Sequence, residues 1–127
     1  MKSLLGVCLA MFSSVCFSGD VSIVFAKFKQ NNDTWKVDVT LQHDDAGWDH
    51  FANEWRVVDE SGKLLARRVL AHPHTEQPFT RSIYSAKIPQ GITVVYVEAK
   101  DSKHGLSPDR VRVDLTKASG ERYQVDK

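Results

Sequence analysis

The chain contains little sulfur, and all of it lies near the start of the sequence. Its 127 residues include two cysteines and two methionines, and these four are Met1, Cys8, Met11 and Cys16. From residue 17 onward there is no side chain that can form a disulfide or offer the soft sulfur ligands that Cu(I) prefers. A domain built from this part of the chain must therefore be stabilised by a packed core.

Long hydrophobic runs are also missing, except for one at the beginning of the chain. Lys2 precedes an apolar run over 4–12, and small residues follow as far as Ser18. This pattern is typical of a secretory signal peptide over 1–18 and is too short for a membrane span. Both cysteines follow a valine, where a lipoprotein signal would carry a small residue. We therefore expect cleavage after Ser18 and an exported protein, periplasmic or secreted.

No excess of charge of either sign is present. Lysine and arginine number 17 against 16 aspartate and glutamate, and the predicted removal of Lys2 makes the two counts equal. A chain with no net charge has no overall attraction for nucleic acid or for a membrane surface. Its length is that of one domain.

The rest of the chain has the alternation of β-strands. In the segment 35–42, Trp35, Val37, Val39 and Leu41 alternate with polar residues, and similar runs recur between turn sequences up to Leu115. About seven short strands without a long helical period predict an antiparallel β-sandwich of immunoglobulin or fibronectin type III kind over 19–115. Residues 116–127 are polar and are expected to form a C-terminal tail.

One segment departs from this alternation. In GWDHFANEW, residues 47–55, the large residues Trp48, Phe51 and Trp55 stand at helical spacing. The segment is too short for an independent helix. We interpret it as one helical turn between the second and third strands, with Trp48 and Phe51 closing the end of the sandwich.

The five histidines are predicted to gather at one end of the sandwich. If successive strands alternate in direction, the loops after the second, fourth and sixth strands share an end. Those three loops carry His43 and His50, His72 and His74, and His104, respectively. Chance would produce this arrangement roughly one time in eight under strict alternation.

Imidazole is the commonest metal ligand in proteins, so this gathering predicts a metal site. In the sequence His-Pro-His, an extended backbone presents both rings on one side. We predict that His50, His72, His74 and His104 bind one divalent ion, Cu(II) or Zn(II), with support from His43 or Asp101. Further acidic residues lie near enough in sequence to ligate or to orient the rings: Asp44, Asp45, Asp49 and Glu76.

Two other functions remain open. The same loops can form a non-enzymatic module that binds a protein or a glycan through Trp48, Phe51 and Arg81, with His43 only capping the core. An enzyme is the third alternative. No Ser-His-Asp spacing or paired carboxylate stands out, and the metal-ligand spacing of Cu,Zn superoxide dismutase does not map onto this chain. We therefore expect a binding protein and not an enzyme.

Three segments carry a resemblance to known proteins: GWDHFANEW (47–55), RVLAHPHTEQPFTRS (68–82) and AKDSKHG (99–105). In combination they resemble a family of small secreted bacterial proteins of uncharacterised function, over most of 35–115. The resemblance implies an exported β-sandwich whose histidine-bearing loops act together. It implies no activity.

The predicted export signal can be tested directly. Mass spectrometry of the protein purified from its native compartment is expected to find a chain that begins at Gly19 and contains no thiol. A soluble cytoplasmic protein that retains Met1 would contradict this prediction.

Overall fold

A computed structural model describes residues 19–127, so the predicted signal peptide lies outside the described residues. The described part contains nine strands and one short 3-10 turn at Gly47–Asp49. In chain order the strands are β1 Ser22–Asn31, β2 Thr34–Gln42, β3 Ala52–Asp59, β4 Leu64–Val69, β5 Phe79–Ala86, β6 Val94–Asp101, β7 Gly105–Asp114, β8 Ser119–Gly120 and β9 Tyr123–Asp126.

The strands form two sheets that pack face to face. One has the order β5-β2-β1-β9-β8 and the other the order β4-β3-β6-β7. Neighbouring strands are antiparallel, apart from the pair of β1 and β9, which is parallel. The predicted antiparallel β-sandwich is confirmed, with nine strands where the sequence predicted about seven.

The core consists of the inward-facing residues of both sheets. In β2, Trp35, Val37, Val39 and Leu41 are buried, in agreement with the alternation of the sequence. In β6 the buried positions are Val95, Val97, Ala99 and finally Asp101. The inward series of β2 likewise continues beyond the strand to the buried ring of His43. Each series therefore begins in a hydrophobic core and ends in a polar residue at the same end of the sandwich.

Strand pairing brings several chain segments to this end. Ser22 at the start of β1 pairs with Gln42 at the end of β2. Asp101 at the end of β6 pairs with both Ala52 in β3 and Gly105 in β7. The opposite end carries the turn at 59–62, as the alternation of strand directions predicted.

The chain before β1 is attached to the other sheet by buried polar contacts. The Ser107 hydroxyl donates a hydrogen bond to the carbonyl oxygen of Val21 at 2.6 Å. The N–H of Ile23 donates to Asp109 Oδ2 at 2.8 Å, and Arg122 donates to both oxygens of the same carboxylate. Residues 19–21 are thereby held over the end of the sandwich that carries the histidines.

The expected helical turn between the second and third strands is present, but the role expected for Trp48 is wrong. The helical spacing in 47–55 covers a single 3-10 turn at Gly47–Asp49 and the start of β3, which begins at Ala52. A register irregularity between Ala52 and Glu54 disturbs the strict alternation in β3. Trp48 does not close the sandwich, because 69% of its surface is exposed. It contacts Phe51 edge to face, with ring centroids 5.6 Å apart.

The C-terminal segment is part of the sandwich. Residues 116–127 were expected to be a polar tail, but they include β8 and β9, and β9 pairs with β1. Tyr123 and Val125 are buried in the core. The four-residue strand carries its apolar residues at alternate positions, a signal that its polar neighbours obscure.

Within residues 19–127, no helix has the length and apolar character needed to cross a membrane.

The place of β9 in the core predicts a measurable contribution to stability. Val125→Ala is expected to lower the free energy of unfolding by about 2 kcal/mol, because it removes buried methyl groups and leaves a cavity. The matched control is Val69→Ala, whose side chain is 50% exposed and whose loss is expected to change stability by about 0.5 kcal/mol or less. Equal losses in urea unfolding would show that 116–127 adds nothing to the core.

Candidate metal centre

Five residues from separate parts of the chain meet at one end of the sandwich. His43 follows β2, His50 precedes β3, Asp101 ends β6, His104 lies in the turn before β7, and Gly19 precedes β1. We call these five residues the histidine cluster. The strand register described above explains why residues so distant in sequence are neighbours in space.

The side-chain atoms of the cluster that could bind a metal ion lie close to their neighbours in the cluster. His43 Nε2 and His50 Nε2 are 3.3 Å apart, and His50 Nε2 is 3.2 Å from Asp101 Oδ1. His104 Nδ1 lies 3.3 Å from the same carboxylate oxygen. Ligands at about 2.0 to 2.1 Å around a tetrahedral ion are themselves about 3.3 to 3.4 Å apart. The three contacts, His43–His50, His50–Asp101 and Asp101–His104, therefore each match the separation of two ligands that share an ion.

The carbonyl oxygen of Gly19 points into the same space. It lies 3.1 Å from His43 Nε2, 3.0 Å from His50 Nε2 and 3.1 Å from His104 Nδ1. The backbone approaches this closely because residue 19 is glycine. A Cβ atom there would be 2.9 Å from Cε1 of His104, and the φ of +82° disfavours other residues.

A buried carboxylate orients the ring of His43. Asp45 Oδ1 lies 2.6 Å from His43 Nδ1 and also accepts a hydrogen bond from the N–H of Ala52 at 3.1 Å. Asp45 Oδ2 accepts one from the N–H of His74 at 2.7 Å. Burial alone would raise the pKa of Asp45, but these hydrogen bonds together outweigh it and lower the pKa. Asp45 is therefore ionised at neutral pH.

This carboxylate also fixes the tautomer of His43. An ionised carboxylate only accepts hydrogen bonds, so His43 Nδ1 carries a proton and donates it to Asp45. In the neutral ring, Nε2 then carries the lone pair that faces the cluster. Carboxylate–histidine pairs of this kind orient imidazole ligands in many metal sites.

Asp101 is a second buried carboxylate. Its Oδ1 accepts hydrogen bonds from the N–H groups of Lys103 at 2.8 Å and His104 at 2.6 Å. Burial raises the pKa of Asp101, but these backbone hydrogen bonds and the nearby His104 ring together have the larger, opposite effect. The pKa of Asp101 therefore lies below its usual value. Asp20 adds a third acidic group, with Oδ1 3.9 Å from His104 Nδ1.

The cluster has more hydrogen-bond acceptors than hydrogen-bond donors. With His43 neutral, its Nε2 lone pair faces the Gly19 oxygen, which is also an acceptor. His50 Nε2 has three acceptor neighbours within 3.3 Å, namely His43 Nε2, the Gly19 oxygen and Asp101 Oδ1, and can give a hydrogen to only one. His43 and Asp101 are buried, whereas His50 is half-buried and Gly19 is exposed. A cation, either an additional proton or a metal ion, stabilises acceptors that are placed this close together.

The His-Pro-His segment lies outside the cluster. His72 is exposed, and its Nδ1 is 2.9 Å from the carbonyl oxygen of Pro73. His74 is buried and stacks on Phe79 with ring centroids 3.8 Å apart. Its ring Nδ1 is 3.4 Å from Asp45 Oδ2, without the alignment of a hydrogen bond. His74 therefore supports the carboxylate that orients His43.

The structure thus brings together four of the six residues predicted as ligands and separates two. Two sets of potential ligands occur among the described residues, one with His43, His50 and Asp101 and the other with Asp20, Asp101 and His104. His72 and His74 belong to neither set. Asp45, predicted as a residue that could orient a ring, has that position.

Gly19 and Asp20 were missed by sequence reasoning, although a signal for them exists. The first two strands are joined by a short turn and are antiparallel, so the start of β1 lies at the same end as His43. The residues just before the first strand therefore belong to the end that carries the histidines.

Comparisons with known proteins give one informative match. No family model matches the chain, and no solved structure matches it. A protein of Halomicrobium mukohataei named "Putative lipoprotein" is 43% identical over 76 residues, which is 60% of this chain and 37% of the relative. The chain therefore spans little more than a third of the length of this relative.

The buried position of His74 predicts a pH-dependent stability. Burial, and then the positive charge of Arg81, lower the pKa of His74 below 6.5, although Asp45 opposes this shift. The unfolded chain thus binds more protons at this position than the folded chain as pH falls below about 6.5. The stability that neutral His74 confers is fully present above that pH and is progressively lost below it.

Urea unfolding between pH 8 and pH 5, with EDTA present, measures this effect. His74→Phe retains an aromatic ring against Phe79 and does not titrate, so its stability is expected to fall less steeply below pH 6.5 than that of the wild type. Parallel curves for the two proteins over the whole range would show that His74 makes no such contribution.

Proposed function

We propose that this chain is an exported protein that binds one divalent transition-metal ion, Cu(II) or Zn(II), at the histidine cluster. The observation that carries the proposal is a series of contacts between ligand atoms, from His43 to His50, from His50 to the buried Asp101 and from Asp101 to His104. Successive ligand atoms in this series lie 3.2 to 3.3 Å apart. The ligands are His43, His50, Asp101 and His104. His72 and His74, predicted from the sequence as ligands, are not among them.

The chemistry of these donors favours Cu(II) or Zn(II). Imidazole nitrogens suit both ions, whereas Mg²⁺ and Ca²⁺ prefer sites made wholly of oxygen ligands. The buried, ionised carboxylates of Asp45 and Asp101 add negative charge beside the rings. A divalent cation neutralises these charges and also satisfies the acceptors that face one another.

Two observations support export. The sequence over 1–18 has the pattern of a secretory signal peptide. The relative from Halomicrobium mukohataei is named as a lipoprotein, which is a class of exported envelope protein. On this basis the ion is bound in the periplasm or outside the cell, where the protein buffers, delivers or senses it.

The site is peripheral to the hydrophobic core, so the fold does not depend on the ion. The buried apolar residues of both sheets form one continuous core that leaves His43 and Asp101 at its edge. We therefore propose a binding function in which the metal is exchanged while the sandwich stays folded.

Calorimetric titration of Cu(II) and Zn(II) into the tag-free chain from Gly19 onward tests this proposal. His50→Ala and Asp101→Asn each remove a ligand, and each is expected to weaken binding by at least about 100-fold, beyond the loss typical of residues that only orient a ligand. Binding is also expected to weaken as pH falls through 7 to 6, because ligands must be deprotonated.

The matched control is His72→Ala, which removes an exposed imidazole outside the cluster and is expected to leave the affinity unchanged. Circular dichroism and urea unfolding of each variant verify that it is folded. If the wild type and both ligand variants bind equally weakly, the proposed site is wrong. If His72→Ala alone abolishes binding, the ion is bound by the His-Pro-His segment instead.

A second candidate function rests on a different observation. The ring of Trp48 is largely exposed and contacts Phe51 beside the cluster. An exposed pair of aromatic rings of this kind is suited to binding a protein or a glycan. Arg81, the third residue of this hypothesis, lies over the ring of Phe79 at 5.5 Å. Trp48→Ala would then remove partner or glycan binding while leaving the metal titration unchanged.

A further inference from the structure

We propose that Gly19 is the first residue of the exported chain and that its α-amino nitrogen and carbonyl oxygen bind the metal ion together with the histidine cluster. This inference rests on the proposed function and adds two ligands to the proposed metal site. Metal binding would then be completed by removal of the signal peptide, so that the chain acquires its full affinity only after export.

The position of the Gly19 oxygen is the first observation. This oxygen lies 3.0 to 3.1 Å from one nitrogen of each of His43, His50 and His104. These are again the separations of atoms that share one ion. A carbonyl oxygen among three imidazole nitrogens has the geometry of a further ligand in the same site.

The identity of residue 19 is the second observation. A Cβ atom at this position would lie 2.9 Å from Cε1 of His104, so a side chain would collide with that ring. Glycine is therefore required for the backbone to enter the cluster. The same glycine directly follows Ser18, after which the sequence predicts cleavage of the signal peptide.

The attachment of the following residues is the third observation. Val21 is fully buried, and its carbonyl oxygen accepts the hydrogen bond from Ser107. Ile23 is bonded to Asp109, which Arg122 holds in turn. Gly19 is thus two residues from a firmly attached point of the sandwich, so little conformational freedom is left to lose when it binds an ion.

The chemistry of a chain terminus suits this position. An α-amino group has an ordinary pKa of about 7.7 to 8.0 and gives up its proton to a metal ion far more readily than a peptide nitrogen does. The amino nitrogen and the carbonyl oxygen of one residue can close a five-membered ring on a metal ion. Cu(II) favours tetragonal sites of nitrogen and oxygen, so the two added ligands favour Cu(II) over Zn(II).

Cleavage of the signal peptide changes the chemistry of a single ligand atom, the nitrogen of Gly19. Before cleavage, the nitrogen of Gly19 is a peptide N–H bonded to the carbonyl carbon of Ser18, and its lone pair is delocalised over the peptide bond, so it is a poor ligand. Hydrolysis of that bond adds water, leaves a carboxylate on Ser18 and yields the free amine on Gly19. No oxidant, reductant or further reactant is needed.

Two forms of the chain test the inference: one that begins at Gly19 and one that begins at Phe17 and is otherwise identical. Competition titration with Cu(II) is expected to show at least tenfold tighter binding by the form that begins at Gly19. A third form, with the α-amine of Gly19 acetylated, is expected to resemble the longer chain.

Electron paramagnetic resonance of the Cu(II) form gives an independent readout. Growth with ¹⁵N-glycine is expected to alter the nitrogen hyperfine pattern in the form that begins at Gly19 and to leave it unchanged in the acetylated form. Gly105 and the other glycines carry only peptide nitrogens, so they are not expected to contribute.

The outcomes separate this inference from the proposed function. Equal Cu(II) affinities in all three forms, without a ¹⁵N-glycine effect, would overturn the role of the terminus and leave the histidine site standing. Absence of Cu(II) and Zn(II) binding in every form would remove both. A mature chain from the native host that begins elsewhere, for example at a lipid-modified Cys16, would also overturn the inference.

Discussion

Two buried carboxylates determine the arrangement at one end of the sandwich. Asp45 and Asp101 lie where water cannot solvate them, so each must collect hydrogen bonds from the surrounding chain. Asp45 collects them from the ring of His43 and the N–H of Ala52, at the two ends of the connection between β2 and β3, and from the N–H of His74 in the connection between β4 and β5. The loops at this end are therefore held to one another chiefly through these acids, and the imidazoles are positioned as a consequence.

The same carboxylates leave a need for positive charge that protons satisfy poorly. Protons added to both His43 and His50 would place two like charges on rings whose Nε2 atoms are 3.3 Å apart. At that separation the repulsion between like charges is substantial in a partly buried site. A single divalent ion between the rings supplies the charge at one point and accepts a lone pair from each. The geometry thus favours a metal ion over additional protons.

The sequence was informative wherever the strand alternation governs the structure. The inward phase of β2 runs from Trp35 to His43, and that of β6 from Val95 to Asp101. The burial of these two polar residues at one end follows from the period of two, because a residue that continues the phase faces the core. The sharing of that end by all histidine-bearing loops follows from alternating strand directions.

The sequence was misleading wherever a tertiary contact governs the direction of a side chain. The two rings of the His-Pro-His segment were expected to face one ion, but His74 turns inward because it stacks on Phe79 and supports Asp45, while His72 stays in solvent. A two-residue spacing describes only the local backbone. It contains no information on which ring the core will accept.

The beginning of the described chain shows how the same reasoning extends to the proposed backbone ligand, the carbonyl oxygen of Gly19. The antiparallel pairing of β1 with β2 makes the start of β1 a neighbour of His43, whatever residues precede it. The contacts of Val21 and Ile23 with β7 then fix the direction of the chain beyond the strand. Position 19 then lies so close to the ring of His104 that only glycine fits there. Strand register and these contacts together place residue 19 beside the imidazoles, and under the proposed cleavage after Ser18 the same residue is the chain terminus.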